Sequence, residues 1–308
     1  MPVVSVLVIT YWHGRYLRDA IESIASQQVT FPFEIIIAED NSPDDTYKIA
    51  VELQQRYPSL VRLVTTPSNK GGMHNFLFGL SLCRGEFIAI CEGDDFWADG
   101  GKLARQVAAL QRYPETDLAF SRGYRLYDDG RREVGWDYGE VERVVPAREL
   151  FSGFGWIVPS ASQLFRADSI RPLPSWFSES DFGDAFLAMA GSVRGGAWYD
   201  PRPTICYRIA HAQSFTVRLD KSTRRERIHF AKKALYYWDL ACSFYKVPRK
   251  HVRHRLDDYR IAVAKMLLQE KAPLQALHAV VGVSPGFFIG GFLRRRRRRL
   301  RSRSAGLS

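Results

Sequence analysis

The sequence predicts an α/β protein: a mainly parallel sheet flanked by helices, with a C-terminal helical extension. Three observations carry this. Apolar, β-branched runs alternate with segments of helical spacing as far as Trp97. Polar residues gather just after each apolar run, at the strand ends where open parallel sheets bind their ligands. Beyond residue 223 long stretches are compatible with helix, and no internal repeat is present.

The elements follow in order. Residues 3–10 are a strand, and 15–28 a helix whose apolar positions are Leu17, Ala20, Ile21, Ile24 and Ala25. Strands over 33–38, 60–65 and 86–91 then alternate with helices over 44–57 and 73–83. A helix over 102–113 and a strand over 117–121 precede a hairpin over 124–145 that turns at Asp128-Asp129-Gly130. The section 146–214 is less regular, with a helix near 184–191 and a strand near 197–200. This divides the chain into a domain over 1–215, with halves 1–100 and 101–215, a helical extension over 216–273 and a tail over 274–308.

Composition narrows the classes. A chain of 308 residues with 46% hydrophobic content can build the core of one large domain or two modest ones. The net charge is +11, but eight arginines lie between Arg294 and Arg303, which leaves +3 for everything else. On this count the basicity belongs to the tail. Cys83, Cys91, Cys206 and Cys242 show no CxxC spacing and read as reduced core thiols, not as a disulfide or zinc framework. The amino terminus has no basic stretch ahead of its apolar run, so a cytoplasmic setting is expected.

Chemistry concentrates at four strand ends. These are Thr10-Tyr11-Trp12-His13, Glu39-Asp40-Asn41-Ser42, Asn69-Lys70-Gly71-Gly72 and Glu92-Gly93-Asp94-Asp95. Acids at a strand end suit a hard divalent cation, Mn²⁺ or Mg²⁺, held jointly with substrate phosphates, because such a cation needs only one or two protein carboxylates. A solvated acidic turn is the plain alternative for EGDD taken alone. The glycines of the third loop allow close backbone approach, and Lys70 adds a positive charge.

Four segments, VSVLVITYWHGRYLRDAIESIASQ, FEIIIAEDNSPDDT, NKGGMHNF and GEFIAICEGDDFW, resemble in order and spacing the nucleotide-binding half of the family 2 glycosyltransferases, which have the GT-A fold. The resemblance covers about Val3 to Trp97. It implies an inverting, metal-dependent transfer of a sugar from a nucleotide-sugar donor, UDP favoured, to an acceptor hydroxyl in bacterial polysaccharide or glycolipid assembly. By the same resemblance Thr10 and Tyr11 line the base pocket, Asp40 with Glu39 accepts hydrogen bonds from base or ribose, and Asp94 approaches ribose and sugar. Asn69, Lys70 and Gly71 lie near the diphosphate, and Asp95 binds the metal. The catalytic carboxylate maps best onto Asp184, with Asp181 and Glu179 as competitors. Cys206-Tyr207-Arg208-Ile209-Ala210-His211 is similar to the family's YRxH motif with one extra residue. Arg208 would there neutralise charge on the donor and His211 close over the metal. Trp12 stands where Asn is common, and Glu92 where the first Asp of the metal motif often stands.

Rival readings are a sugar-phosphate nucleotidyltransferase and a non-catalytic nucleotide-binding module. The first lacks its usual glycine-rich loop after the first strand, and the second leaves 151–214 without a purpose. The arginine run could serve as a nucleic-acid arm, but it directly follows the apolar segment 285–293. Apolar then basic reads better as a peripheral anchor on an anionic membrane, facing a saccharide or lipid-linked acceptor.

Overall fold

The computed structural model describes residues 1–152, 158–209, 217, 219 and 221–283. His211 and the arginine run lie outside the described residues. The chain divides into two units, Met1–Lys221 and Ser222–Ser308.

In the first unit β1 (Val4–Thr10) and β2 (Phe33–Glu39) are apolar and buried on both faces, as central strands of a helix-covered sheet must be. With β3 (Val61–Thr65) and β4 (Phe87–Glu92) they form a parallel set in the order β3-β2-β1-β4. The connecting helices are α1 (Leu17–Ala25), α2 (Thr46–Arg56) and α3 (Gly72–Leu82). Next come the short β5 (Phe96–Trp97), α4 (Lys102–Arg112), β6 (Leu118–Leu126), β7 (Arg132–Gly135), β8 (Arg143–Val145) and α5 (Ala147–Ser152). The unit continues with β9 (Leu164–Arg166), α6 (Gly183–Ser192) and β10 (Ala197–Arg208).

Among the described residues all ten strands belong to one sheet, with β9 antiparallel between β4 and β6. The second half is therefore more mixed than the alternation of the first half predicts. Only three residues long, β9 is too short to show a period in the sequence. The strand expected near 197–200 continues to Arg208, because irregular pairing around Asp200, Pro203 and Ile205 breaks the apolar pattern without ending the strand. The 124–145 hairpin is realised by β6 and β7, while β8 leaves it to pair with β10.

Register places the functional edge. Thr10 pairs with Glu39, Glu39 with Thr65 and Ile9 with Glu92, so the carboxyl ends of four strands finish in one row. Beside that row the 160–162 turn is pinned by two buried bonds, from Trp97 Nε1 to the Ala161 carbonyl (2.9 Å) and from Gln106 Nε2 to the Ser162 carbonyl (2.7 Å). Lys102, fully buried, donates to Gln106 Oε1 and lies 4.1 Å from the Trp97 ring centre. Burial pulls its amine down to about 7. The four cysteines are free and buried, as expected of core thiols.

The described part of the second unit is helical, with α7 (Arg224–Phe244), α8 (Arg249–Gln269) and α9 (Pro273–Ala279). Thr223 opens α7 with a capping box, its side chain and Glu226 satisfying each other's backbone N–H. A small core of Ile228, Ala231, Val263, Ala264, Leu267 and Ala276 joins the three helices.

Helix α3 approaches the sheet closely at Gly79, where an added Cβ would lie 2.5 Å from Leu7 Cδ1 and 3.0 Å from Ala38 Cβ. Leu7 can turn aside, but Ala38 cannot. Gly79→Val is expected to destabilise the first unit by ~1–3 kcal/mol, the usual cost of overpacking, read from urea unfolding. An unchanged midpoint would show that the contact has slack.

Candidate active site

Strand β4 runs directly into the acidic loop. Gly93 donates to the Ile9 carbonyl (2.9 Å), and Asp95 closes a tight turn onto the Glu92 carbonyl (3.1 Å). The glycine is required by close approach: a Cβ there would lie 2.6 Å from Thr10 Oγ1 and 2.8 Å from Thr10 Cβ. The loop thus crosses the end of β1 with its acids held beside Thr10 and His13. His13 Nε2 lies 3.7 Å from Asp94 Oδ2.

Asp95 is 1% exposed. Its Oδ1 accepts the Arg208 backbone N–H (3.0 Å), and its Oδ2 has no hydrogen-bond partner among the described residues. Glu92 is half-buried, yet its Oε2 is shielded from solvent and likewise unmatched there. Burial raises the Asp95 carboxyl well above its ordinary range, and the charges of Asp94 and Glu92 add to the effect. Glu92 is pushed up to about 7 by burial and by Asp94 and Asp184, against a hydrogen bond from Ser160 that favours its charged form. Unmatched, shielded carboxylate oxygens are costly, and a divalent cation answers that cost. Among the described residues no three His, Cys, Asp or Glu groups are arranged to cage an ion. The donor set therefore fits a cation that takes one or two protein oxygens and completes its shell from phosphates and water, as Mg²⁺ does.

Arg208 locks this loop. Its Nη1 donates to the Asp94 carbonyl (2.6 Å) and its Nη2 to Asp19 on α1 (2.7 Å), while its guanidinium carbon lies 4.8 Å from the ring centres of both Tyr16 and Phe96. The side chain expected to meet the donor's charge is thus bound to protein on both sides, and it joins α1, the acidic loop and the end of β10. Asp19 looked like an ordinary helix acid in the sequence, so nothing there signalled this link.

At the β1 end, Thr10 is buried with its Oγ1 unmatched among the described residues. Tyr11 and Trp12 pack edge to face with ring centres 6.4 Å apart. Trp12 takes a left-handed conformation (φ 63°), which explains why a chain carrying Asn there would be at ease, and its N–H donates to Ser42 Oγ (3.0 Å). Glu39 and Asp40 are both 1% exposed and serve loops. Glu39 accepts the N–H groups of Asn41 and Ser42 (3.0 and 2.6 Å). Asp40 accepts those of Lys70 and Gly71 (2.8 and 2.9 Å), so the β2 end carries the 69–71 loop. Asn69 Oδ1 also receives the Gly71 N–H (3.0 Å). Gly71 itself has φ 86°, a conformation a side chain would strain. Lys70 is exposed.

On the far side Asp184 lies in the first turn of α6, where the helix terminus favours an acid. Its charge reaches both Glu92 and Tyr207. Burial raises the Tyr207 phenol, and Asp95, Glu92, Asp94 and Asp184 raise it further, so one tyrosine of β10 senses the whole cluster. Asp181 and Glu179, the competing acids, are both exposed. Ser160 and Tyr207 were not singled out in the sequence. Ser160 sits in the irregular section, which offers no periodic signal; Tyr207 lies inside the Tyr-Arg motif and could have been found there.

The raised acids give a signed pH dependence. With Glu92 raised to about 7, the folded, cation-free chain holds protons that the unfolded chain has already released, so stability falls as pH climbs from about 5 through about 7. The carboxylates that are lowered, such as Glu34 and Asp44, act below that window. The melting temperature in chelator is expected to drop across it, and Glu92→Gln to flatten the slope; a wild-type profile already flat would contradict the assignment.

Comparison with known proteins identifies the family and the fold. The profile described as "Glycosyl transferase family 2" matches residues 5–167. An uncharacterized protein of Mycobacterium tuberculosis is 43% identical over 129 residues, 42% of this chain and 37% of that one. The dolichyl-phosphate beta-glucosyltransferase of Mus musculus is 32% identical over 130 residues, 41% of this chain and 37% of its own length. The chain thus spans less than half of these relatives. Among solved structures it is similar in fold to TarS of S. aureus in complex with UDP, with a TM-score of 0.55 and 17% identity over 90% of this chain and 88% of that one. It is also similar to the mannosyltransferase PcManGT from Pyrobaculum calidifontis in complex with GDP-Man and Mn²⁺, with a TM-score of 0.60 and 16% identity over 94% and 82% of the two chains. The fold is of the GT-A kind, and the chain belongs to glycosyl transferase family 2.

Proposed function

We propose that the protein is an inverting glycosyltransferase that uses a divalent cation to move a sugar, from a UDP-sugar in the first instance, to a hydroxyl of a saccharide or lipid-linked acceptor in surface polysaccharide or glycolipid assembly. One observation carries the reading: two shielded carboxylates with an unmatched oxygen each, on Glu92 and Asp95, share an electrostatic cluster with Asp184. A nucleotide-binding module has no use for a further acid on another element, at Asp184 on α6, whose charge reaches that cluster. The complexes of the two structural neighbours with UDP and with GDP-Man and Mn²⁺ support a nucleotide-sugar donor and a cation.

In this reading Thr10 and Tyr11 line the base pocket, and Asp40 acts on the donor through the loop it holds at Lys70 and Gly71. Asp94 reaches the ribose and sugar from its place beside His13. Asp95 and Glu92 would hold Mn²⁺ or Mg²⁺, which supplies charge stabilisation for the departing diphosphate. His211, if it joins them, does so from outside the described residues. Asp184 takes the proton from the acceptor hydroxyl as its oxygen forms a bond to the anomeric carbon. The bond from that carbon to the diphosphate oxygen breaks on the opposite face, the electron pair leaves with the diphosphate, and the configuration inverts. Arg208 contributes by fixing the acidic loop, not by touching the leaving group.

The expected setting is the cytoplasmic face of the cell membrane, with the 274–308 tail as a peripheral anchor. No helix among the described residues is long and apolar enough to cross a membrane.

Release of nucleoside diphosphate from a panel of nucleotide sugars tests the reading. Asp184→Asn is expected to lower kcat by at least about 100-fold, the usual scale of general-base loss, while nucleoside diphosphate affinity stays within about 3-fold. Chelator should abolish turnover and added Mn²⁺ restore it. Loss of affinity with turnover retained would make Asp184 structural, and turnover in chelator would remove the cation from the account.

A further inference from the structure

Charge is divided between the two units. Residues 222–283 carry 13 Lys and Arg against 5 Asp and Glu, a net of +8, whereas residues 1–221 net −5. The +3 left outside the arginine run therefore conceals a strongly basic helical unit and an acidic first unit, and the basicity is not confined to the tail. Many of these cations, among them Arg224, Arg227, Lys232, Arg249, Arg253 and Lys265, are exposed.

Among the described residues the same unit leaves an apolar face exposed. Helix α9 carries no Lys, Arg, Asp or Glu, and it turns Ala276 into the small core, 3% exposed. Leu274, Leu277 and Val281, three and seven positions along, fall on one side of the helix and its final turn and are 83%, 66% and 67% exposed. Leu268 at the end of α8 is 57% exposed. Single exposed aliphatics need no explanation, but three in helical register on an uncharged helix do. A unit that carries both an apolar stripe and many exposed cations complements one surface in particular: an acidic lipid headgroup layer, in which aliphatics enter the boundary while Lys and Arg meet phosphates. A nucleic acid or soluble polyanion would be served by the cations and gain nothing from the stripe.

We propose that the helical unit itself docks on an acidic lipid surface, with the Leu274–Leu277–Val281 stripe entering the headgroup boundary and the basic residues of α7 and α8 holding it there. The inference deepens the membrane setting of the proposed function, but it places the contact in a folded element and not in the arginine run. Its chemistry is independent of catalysis.

Flotation of the full-length protein with vesicles of phosphatidylcholine alone, or of phosphatidylcholine with phosphatidylglycerol, tests it. The comparison is with Leu274→Gln/Leu277→Gln/Val281→Gln, which alters exposed positions without changing net charge. The wild type is expected to prefer acidic vesicles and to stay partly bound in 0.5 M salt, roughly the regime where exposed charges are screened. The triple variant should lose at least about tenfold in partition and come off completely in that salt, with nucleoside diphosphate release in solution unchanged. Flotation of the variant equal to wild type, at both salt concentrations, would overturn the proposal and leave the arginine tail as the anchor. Failure of the wild type to float, or vesicle binding displaced by RNA equally in both proteins, would overturn it as well. None of these results bears on transfer chemistry, which the release assay reads separately.

Discussion

A carboxylate removed from water must be matched, or it resists ionisation and weakens the fold. In this chain β4 delivers Glu92, Asp94 and Asp95 to the end of a buried strand within four residues, and the fold answers only part of that demand. Arg208 supplies one backbone N–H to Asp95 and binds the Asp94 carbonyl, and Ser160 eases Glu92. One oxygen on each of Glu92 and Asp95 remains unmatched among the described residues. Much of the surrounding structure serves to hold that unresolved charge: Gly93 admits the loop over Thr10, α1 anchors Arg208 through Asp19, and the Trp97 and Gln106 bonds set the Ser160 turn in place.

The parallel half of the fold was legible because each of its strands is long enough to show a β-branched run and each helix a clear apolar face. The strand-end motifs were legible for the same reason, since periodicity fixes where a strand stops. What could not be read were contacts made at long range by unremarkable residues. Asp19 is one helix acid among several, Ser160 lies in a section without a period, and β9 has three residues. The roles of Glu39 and Asp40 were also hidden. Their type and place were plain, but their N–H partners at Asn41, Ser42, Lys70 and Gly71 depend on how the loops fold back. Arg208 is the clearest instance: motif likeness pointed its charge toward the donor, whereas geometry spends that charge on Asp94 and Asp19.

The division of charge between the units gives this arrangement a physical context. An acidic catalytic unit repels the phosphates of a donor at long range, so affinity must come from short-range complementarity at the strand ends. The basic helices attract phosphate instead, which suits the lipid surface proposed for them. On the proposed reading, separate elements would handle a donor diphosphate and an extended anionic layer.

If the unmatched oxygens of Glu92 and Asp95 exist to share a cation with a diphosphate, the cation and the nucleotide should bind cooperatively, each completing the other's site. Calorimetric titration of UDP into the protein with and without Mn²⁺ measures that coupling. The account predicts an affinity at least about tenfold higher with the ion, a coupling of ~1.4 kcal/mol or more. Equal affinity in the two titrations would contradict it.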